Sequence, residues 1–141
     1  MRVFKFGGAS VKDAEGIKNV YEVLQKVGYE DVLLVVSAMG KTTNALELVI
    51  KNYFDKSAEL KYSVQEVKKY HNQILLDLFE DEKNEVFSVV NSQFADLEYF
   101  LAHNKSPNYN FVYDQIVSYG ELISTTILSQ FMNFRGIKTQ W

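Results

Sequence analysis

Residues Met1–Val11 read MRVFKFGGASV, a short apolar segment followed by two glycines and a small-residue turn. Side chains alternate along a strand, so Val3 and Lys5 share one face and the two phenylalanines share the other. A segment this apolar predicts a buried, central strand. A lysine buried there requires a partner, because an unpaired ammonium removed from water is energetically costly.

The glycines Gly7 and Gly8 predict where that partner binds. A backbone without Cβ atoms can approach a ligand closely, and the free N–H groups at the start of the following helix favour anions. Lys5, Gly7 and Gly8, with Ser10 as a further candidate, therefore predict a phosphate site. The alternative is a lysine that reaches solvent from an edge strand, followed by an ordinary turn.

The composition limits the classes of protein that need consideration. A chain of 141 residues with 47% hydrophobic and 23% charged residues is typical of one globular domain. The absence of cysteine excludes disulfides and thiolate metal sites. The net charge is −3 and the basic residues are scattered, so we expect no nucleic-acid partner. No segment approaches membrane-spanning length, so we expect no membrane partner and a cytoplasmic location.

A second strand is predicted shortly after the first. Apolar residues recur at helical spacing over Lys12–Lys26, Ser10 or Asp13 is placed to cap this helix, and Gly28 to end it. The five apolar residues Val32–Val36 then indicate a strand covered on both faces. Strand, helix and strand form a parallel β-α-β unit, so the loops after both strands open on the edge of the sheet where ligands bind.

The loop after this second strand, Ser37–Asn44, contains small residues, hydroxyls, a glycine and a lysine. We expect a helix from about Ala45, with one of the two threonines as its cap. A phosphate-binding P-loop is rejected because a valine stands where that motif requires its upstream glycine. Ser37 and Thr43 are candidates to donate hydrogen bonds to a carboxylate or phosphate, and helix capping is the alternative role for such hydroxyls.

The middle of the chain, residues 56–103, contains two stretches with helical periodicity separated by the acidic run Glu80–Glu82. A helical hairpin inserted into or beside the sheet is the simplest interpretation. His71 and His103 have no suitably spaced partners, so we expect them to be structural or exposed and predict no metal site.

A final helix is predicted from about Phe111 to Phe134. Gly120 inside it costs about 1 kcal/mol relative to alanine, which indicates close approach of a ligand or of another backbone. The neighbouring Glu121 is a candidate to bind an ammonium group, or it is a surface glutamate beside a packing glycine. Ile137–Trp141 predicts a third strand that is cut short, and hence a piece of a longer protein.

Three motifs occur in order: KFGGASV (Lys5–Val11), VVSAMGKTTN (Val35–Asn44) and SYGELIS (Ser118–Ser124). Together they resemble the N-terminal part of an aspartate kinase, a member of the amino acid kinase superfamily. The resemblance implies an α/β fold: a parallel-sheet, three-layer αβα arrangement, truncated, with a helical hairpin insertion. Residues 1–141 would be the aspartate-binding half of the domain, without the nucleotide-binding half or regulatory domains.

The resemblance also implies an activity, the ATP-dependent phosphorylation of the L-aspartate β-carboxylate to 4-phospho-L-aspartate, with Mg²⁺, on the route to lysine, threonine and methionine. Lys5 would be the catalytic contact to the transferring phosphate, with the N–H groups of Gly7 and Gly8. Ser37 and Thr43 would lie at the aspartate site, and Glu121 would hold the α-ammonium group. Ala9 departs from the threonine that many relatives have, which removes at most one hydroxyl contact.

Two alternatives remain open. Another amino acid kinase is one, although Glu121 favours a substrate with a free ammonium group. A non-catalytic α/β assembly module is the other, because an exposed sheet edge invites pairing with a second copy. The resemblance further implies a homo-oligomeric parent protein. It also predicts that these residues alone are inactive, since the family's arginine motif for the substrate α-carboxylate would begin near Trp141.

Overall fold

The computed structural model describes residues 1–141. In chain order the elements are β1 (Arg2–Phe6), a 3₁₀ turn (Gly8–Val11), α1 (Ala14–Val27), β2 (Val32–Val36), α2 (Thr42–Phe54), α3 (Leu60–Phe79), α4 (Glu85–His103) and α5 (Tyr109–Phe134). No helix combines the length and apolar character that crossing a membrane requires.

The sheet consists of β1 and β2, which run parallel with Arg2 opposite Val32 and Phe6 opposite Val36. The predicted β-α-β unit is therefore confirmed, with α1 as its crossover helix. The Ser37 N–H donates to the Phe6 carbonyl at 3.0 Å, which carries the pairing one residue past β2. The glycine loop after β1 and the loop after β2 consequently leave the same edge of the sheet side by side.

The two faces of this sheet differ in burial. Phe4, Phe6 and Leu34 pack against the helical core, with Val36 part of it. On the opposite face Leu33 is 48% exposed and Val35 43% exposed. The prediction that both faces of β2 are covered is wrong within residues 1–141, because the helices of these residues cover one side only. The α/β class itself is confirmed.

The segment Ile137–Trp141 is not the predicted third strand. Its Ile137 is buried, and the N–H of that residue donates to the Met132 carbonyl at 2.9 Å. The Thr139 hydroxyl lies 2.9 Å from that of Ser129, and the Trp141 indole N–H donates to Thr125 Oγ1 at 2.7 Å. The segment therefore folds back on α5, because that helix supplies the hydrogen-bond partners that a neighbouring strand would otherwise provide.

The predicted helical hairpin is confirmed as α3 and α4, with the acidic run between them. Asn84 caps α4 through its side chain, which accepts from the Val86 N–H at 3.0 Å. Both helices contribute to one apolar core shared with α1, α2 and α5. The hairpin thus packs against α1 and α2, the helices that follow the two loops, and so supports the loops from the helical side.

Two helix starts correct the sequence predictions. Asp13, rather than Ser10, caps α1, since its carboxylate accepts from the Gly16 N–H at 2.8 Å. Helix α2 begins at Thr42, three residues before the expected Ala45, and no side chain caps it. The Thr42 hydroxyl instead donates to the Met39 carbonyl at 2.6 Å, because a residue inside the first turn is past the capping position.

Candidate active site

Gly7 and Gly8 have different surroundings. Gly7 is extended, with φ −77° and ψ 169°, and a Cβ built there meets nothing within 4 Å. A Cβ on Gly8 would lie 2.8 Å from the Ala38 carbonyl oxygen and 2.9 Å from that of Gly40. Gly8 is therefore required for the packing of the two loops, whereas Gly7 leaves its backbone open to a ligand.

At the start of α1, one of the N–H groups predicted to be free is occupied. The Asp13 carboxylate occupies that position and accepts from Gly16. Because a carboxylate already satisfies the N–H group and offsets the positive end of the helix dipole, the attraction for a second anion is reduced. The Ser10 N–H is also occupied, since it donates to the Gly7 carbonyl at 2.9 Å. The Lys5 ammonium, the backbone at Gly7 and Gly8 and the Ser10 hydroxyl remain candidates for binding an anion.

Lys5 is exposed, on the open face of the sheet opposite Val35 in the neighbouring strand. Its predicted burial is wrong, since β1 is one of only two strands and one face is uncovered. Its ammonium makes no ion pair or hydrogen bond within residues 1–141, whereas other charges such as Lys51 and Asp55 are paired. A cation thus lies free one residue before the end of β1.

Ser37 is the first residue of the β2–α2 loop and Thr43 lies in the first turn of α2; both are half-buried. Neither hydroxyl has a hydrogen-bond partner within the chain, whereas the intervening Thr42 hydroxyl is buried and bonded to Met39. The capping role considered for Thr43 is not observed. Two half-buried hydroxyls without partners are therefore available to a ligand at the carboxyl edge of the sheet.

Helix α5 crosses this loop at Gly120. A Cβ on that residue would lie 2.9 Å from the Ala38 Cβ and 3.5 Å from Leu46 Cδ1. The close approach predicted from this glycine is thus to another part of the chain. One turn later, the Ser124 hydroxyl donates to the Ser37 carbonyl at 2.8 Å. Two contacts on consecutive turns therefore fix α5 to the end of β2.

Glu121 lies between these two contacts. Its side chain is exposed and forms no ion pair, and its carbonyl oxygen lies 3.4 Å from Ser124 Oγ. The structure therefore brings the turn that bears Glu121 to Ser37, although 84 positions separate the two residues in the sequence. The chemistry available at this edge is one free carboxylate, two free hydroxyls and one free ammonium.

The histidines have structural or exposed positions, as expected. His71 is fully buried, with Nδ1 2.8 Å from the Val67 carbonyl and Nε2 3.4 Å from Thr42 Oγ1. Burial lowers the pKa of His71, opposed by the hydrogen bond to Val67, so the ring is neutral near pH 7. His103 is stacked on Tyr99 at a ring separation of 4.0 Å. No group of three or more His, Cys, Asp or Glu residues could hold a metal ion.

Sequence reasoning missed two residues that shape this site. Ser124 is the last residue of the SYGELIS motif, but no role was predicted for it. Tyr70 recurs at helical spacing with the apolar residues of α3, which is typical of a core residue. Its hydroxyl instead donates to the Lys12 carbonyl beside the glycine loop.

The chain is thus an α/β protein with an unpaired ammonium and unpaired hydroxyls near the carboxyl edge of a parallel sheet. The chain matches the amino acid kinase family over residues 1–141. It therefore belongs to the amino acid kinase family.

Curated relatives cover nearly the whole chain. Aspartokinase 1, chloroplastic, from Arabidopsis thaliana is 32% identical over 144 residues, which is 98% of this chain and 24% of the relative. Bifunctional aspartokinase/homoserine dehydrogenase 2 from Escherichia coli is 28% identical over 99% of this chain and 17% of its own length. The chain thus spans a quarter or less of these relatives.

Solved structures share the fold. Escherichia coli aspartokinase III in complex with aspartate and ADP superposes with a TM-score of 0.83 over 100% of this chain and 30% of that one, at 22% identity. Clostridium acetobutylicum aspartate kinase gives a TM-score of 0.73 over 94% of this chain and 29% of its own, at 18% identity. At these identities the likeness establishes the fold.

Proposed function

We propose that the protein containing these residues is an aspartate kinase, which transfers the γ-phosphoryl group of ATP to the β-carboxylate of L-aspartate. The observation that carries the proposal is the Ser124–Ser37 hydrogen bond of 2.8 Å. It places the carboxylate-bearing turn of α5 beside the free hydroxyls of the β2–α2 loop. The names of the relatives and the aspartate and ADP bound to a solved neighbour support the same assignment.

In this proposal the aspartate lies along the carboxyl edge of the sheet. Glu121 accepts hydrogen bonds from the α-ammonium group, since a free carboxylate is the natural partner for that cation. The Ser37 and Thr43 hydroxyls donate to the carboxylate oxygens of the substrate. These three residues determine where the β-carboxylate lies and which substrates are accepted.

Lys5 and the backbone at Gly7 act on the phosphate. A β-carboxylate oxygen attacks the γ-phosphorus, a new O–P bond forms, and the bond to ADP breaks so that ADP leaves. Two anions must approach each other, and the free Lys5 ammonium lowers their repulsion. Phosphoryl transfer requires positioning and charge stabilisation more than covalent participation by the protein.

The remaining components are assigned by the same proposal. Residues 1–141 supply the aspartate side of the site, and other parts of the protein bind the rest of the nucleotide. No group of three or more His, Cys, Asp or Glu residues in the chain could hold a metal ion. Because Mg²⁺ is usually held by one or two carboxylates, waters and the substrate phosphates, in this proposal it would enter with ATP and offset the charge of the phosphates. A cytoplasmic location stays a prediction, and several plant relatives are described as chloroplastic.

The test is ADP release by the protein with L-aspartate, N-acetyl-L-glutamate or no acceptor. We expect release that depends on L-aspartate and a raised KM for aspartate in Glu121→Gln. Glu82→Gln is the matched control, because Glu82 is also exposed and unpaired. Preference for N-acetyl-L-glutamate would instead assign another activity within the family, and no acceptor-dependent release would contradict kinase function.

A second proposal is self-association. Val3, Leu33 and Val35 are 58%, 48% and 43% exposed on the open face of the sheet. Lys5 lies on the same face, but exposed apolar side chains still favour burial against another surface, in this proposal that of a second copy paired along the exposed edge of the sheet. Sedimentation of the wild type and of Leu33→Lys at several concentrations tests this, and an identical monomeric profile for both would contradict it.

A further inference from the structure

The two loops of the candidate site are in direct contact. The Gly40 N–H donates to the Gly8 carbonyl at 3.0 Å. Gly40 has φ +55°, a left-handed conformation that a residue with Cβ adopts only with strain. The position of the glycine loop relative to the β2–α2 loop thus depends on this hydrogen bond and on the side chains that pack around it.

Tyr70, on α3, surrounds that contact on one side. Its hydroxyl donates to the carbonyl of Lys12, the residue that ends the 3₁₀ turn of the glycine loop. A Cβ on Gly40 would lie 2.5 Å from the Tyr70 hydroxyl oxygen and 3.5 Å from Lys12 Cβ. The phenol therefore contacts both loops at once, one through a hydrogen bond and the other through packing.

The packing of helix α3 next to Tyr70 holds the phenol in place. The next residue, His71, is fully buried with Nε2 3.4 Å from the Thr42 hydroxyl at the start of α2. The Tyr70 and His71 rings meet edge to face at 5.1 Å. Burial, and then the charge of Asp13, raise the pKa of Tyr70 above its usual value, so the phenol keeps its proton and remains a donor at neutral pH.

We propose that Tyr70 is a positioning residue that fixes the glycine loop against the β2–α2 loop. Under the proposed function, on which the kinetic part of this inference rests, the first loop contacts the phosphate and the second contacts aspartate. The contact of Tyr70 with both loops would then determine the distance between the γ-phosphorus and the attacking carboxylate. A displacement of that distance by an ångström lowers the rate by about a hundredfold.

The structural part is tested by amide hydrogen exchange in Tyr70→Phe. We expect exchange of the Gly40 N–H to accelerate about five- to tenfold, the factor that corresponds to loss of one ordinary hydrogen bond. Tyr62→Phe is the matched control, since Tyr62 lies on the same helix, is 61% exposed and makes no hydrogen bond. Unchanged Gly40 exchange in a folded Tyr70→Phe would overturn the proposal.

A second variant approaches the same contact from the opposite loop. Gly40→Ala adds a Cβ that displaces the phenol, and we expect it to accelerate exchange around Gly8 as well. In the double variant Gly40→Ala, Tyr70→Phe, the missing hydroxyl leaves room for the methyl group. We therefore expect the double variant to be less impaired than the sum of the two single changes, and simple additivity would count against the contact.

Steady-state kinetics of Tyr70→Phe distinguish a positioning role of Tyr70 from a role in stability alone. We expect Tyr70→Phe to lower kcat about tenfold while the KM values for aspartate and ATP change less than twofold, because in this proposal Tyr70 positions the loops and does not itself bind either substrate. Faster Gly40 exchange with an unchanged kcat would overturn the positioning role. If the wild-type protein shows no aspartate-dependent turnover, the proposed function fails, and the exchange measurement then decides the present proposal by itself.

Discussion

The Ser124 hydroxyl donates to the Ser37 carbonyl across 2.8 Å, joining the middle of α5 to the first residue after β2. This bond brings together residues that are 87 positions apart. It brings the preceding turn of α5, which bears Glu121, next to Ser37, and this proximity underlies the proposal that Glu121 acts together with the Ser37 and Thr43 hydroxyls.

Removal of that hydroxyl is expected to loosen the aspartate side of the site. Ser124→Ala leaves the Ser37 carbonyl without this hydrogen-bond donor and should lower the free energy of unfolding by about 1–2 kcal/mol. The KM for aspartate should rise more than the KM for ATP. Ser118→Ala is the control, because its hydroxyl donates only within its own helix, to Gln115, at an exposed position. Equal effects of the two substitutions on aspartate KM would contradict the account.

Gly120→Ala is expected to destabilise the protein even though alanine favours helices by about 1 kcal/mol over glycine. The added methyl group would lie 2.9 Å from the Ala38 Cβ, and overpacking of this kind costs about 1–3 kcal/mol. Chemical denaturation measures the change. The double variant Gly120→Ala, Ala38→Gly removes the opposing methyl and should recover part of the loss. An unrescued double variant would show that a different contact requires the glycine.

The two loop glycines are expected to respond differently to substitution. Gly7→Ala has open space and an ordinary φ of −77°, so the free energy of unfolding should change by less than about 0.5 kcal/mol. Gly8→Ala presses against two carbonyl oxygens and should destabilise the fold by about 1–3 kcal/mol. Thermal unfolding of both variants checks this, and similar melting temperatures would argue against the loop packing described here.

His71 gives the stability a defined dependence on pH. Burial lowers its pKa in the folded state below the unfolded value of about 6.5. The unfolded chain therefore binds a proton that the folded chain does not, and stability falls as the pH drops below about 6.5. One such group contributes a slope of at most about 1.4 kcal/mol per pH unit. Denaturation at pH 5.5 and 7.5 should show a weaker pH dependence of stability in His71→Gln than in the wild type, and an equal dependence in the two proteins would contradict this role of His71.

Local patterns predicted much of this fold. A β-α-β unit was indicated by the phenylalanines of Phe4–Phe6, by the apolar run Val32–Val36 and by the glycines between the elements. These signals are local, because side-chain periodicity and the residue preferences of turns depend only on neighbouring residues. The open face of the sheet was not predictable from them. Leu33 and Val35 are as apolar as a doubly covered strand requires, and a residue's own character does not say which other segment covers it.

The same limit applies to the site. Ser37, Thr43 and Glu121 could be proposed as site residues because hydroxyls and carboxylates in these motifs have recognisable chemistry. Tyr70 was not, because a tyrosine at helical spacing has the pattern of a core residue, and its contact with Lys12 depends on tertiary packing. Ile137–Trp141 has the apolar and β-branched character of a strand, yet hydrogen bonds to α5 determine its path.

The most direct test of the central claim is a titration of the isotopically labelled chain with L-aspartate, followed through the backbone amide shifts. N-acetyl-L-aspartate is the matched ligand, because it keeps both carboxylates and lacks the ammonium group. We predict that L-aspartate shifts the amides around Ser37, Thr43 and Glu121, and that the acetylated ligand leaves the Glu121 region unshifted. Equal shifts at Glu121 with both ligands, or no shift at these three residues with L-aspartate, would contradict the account.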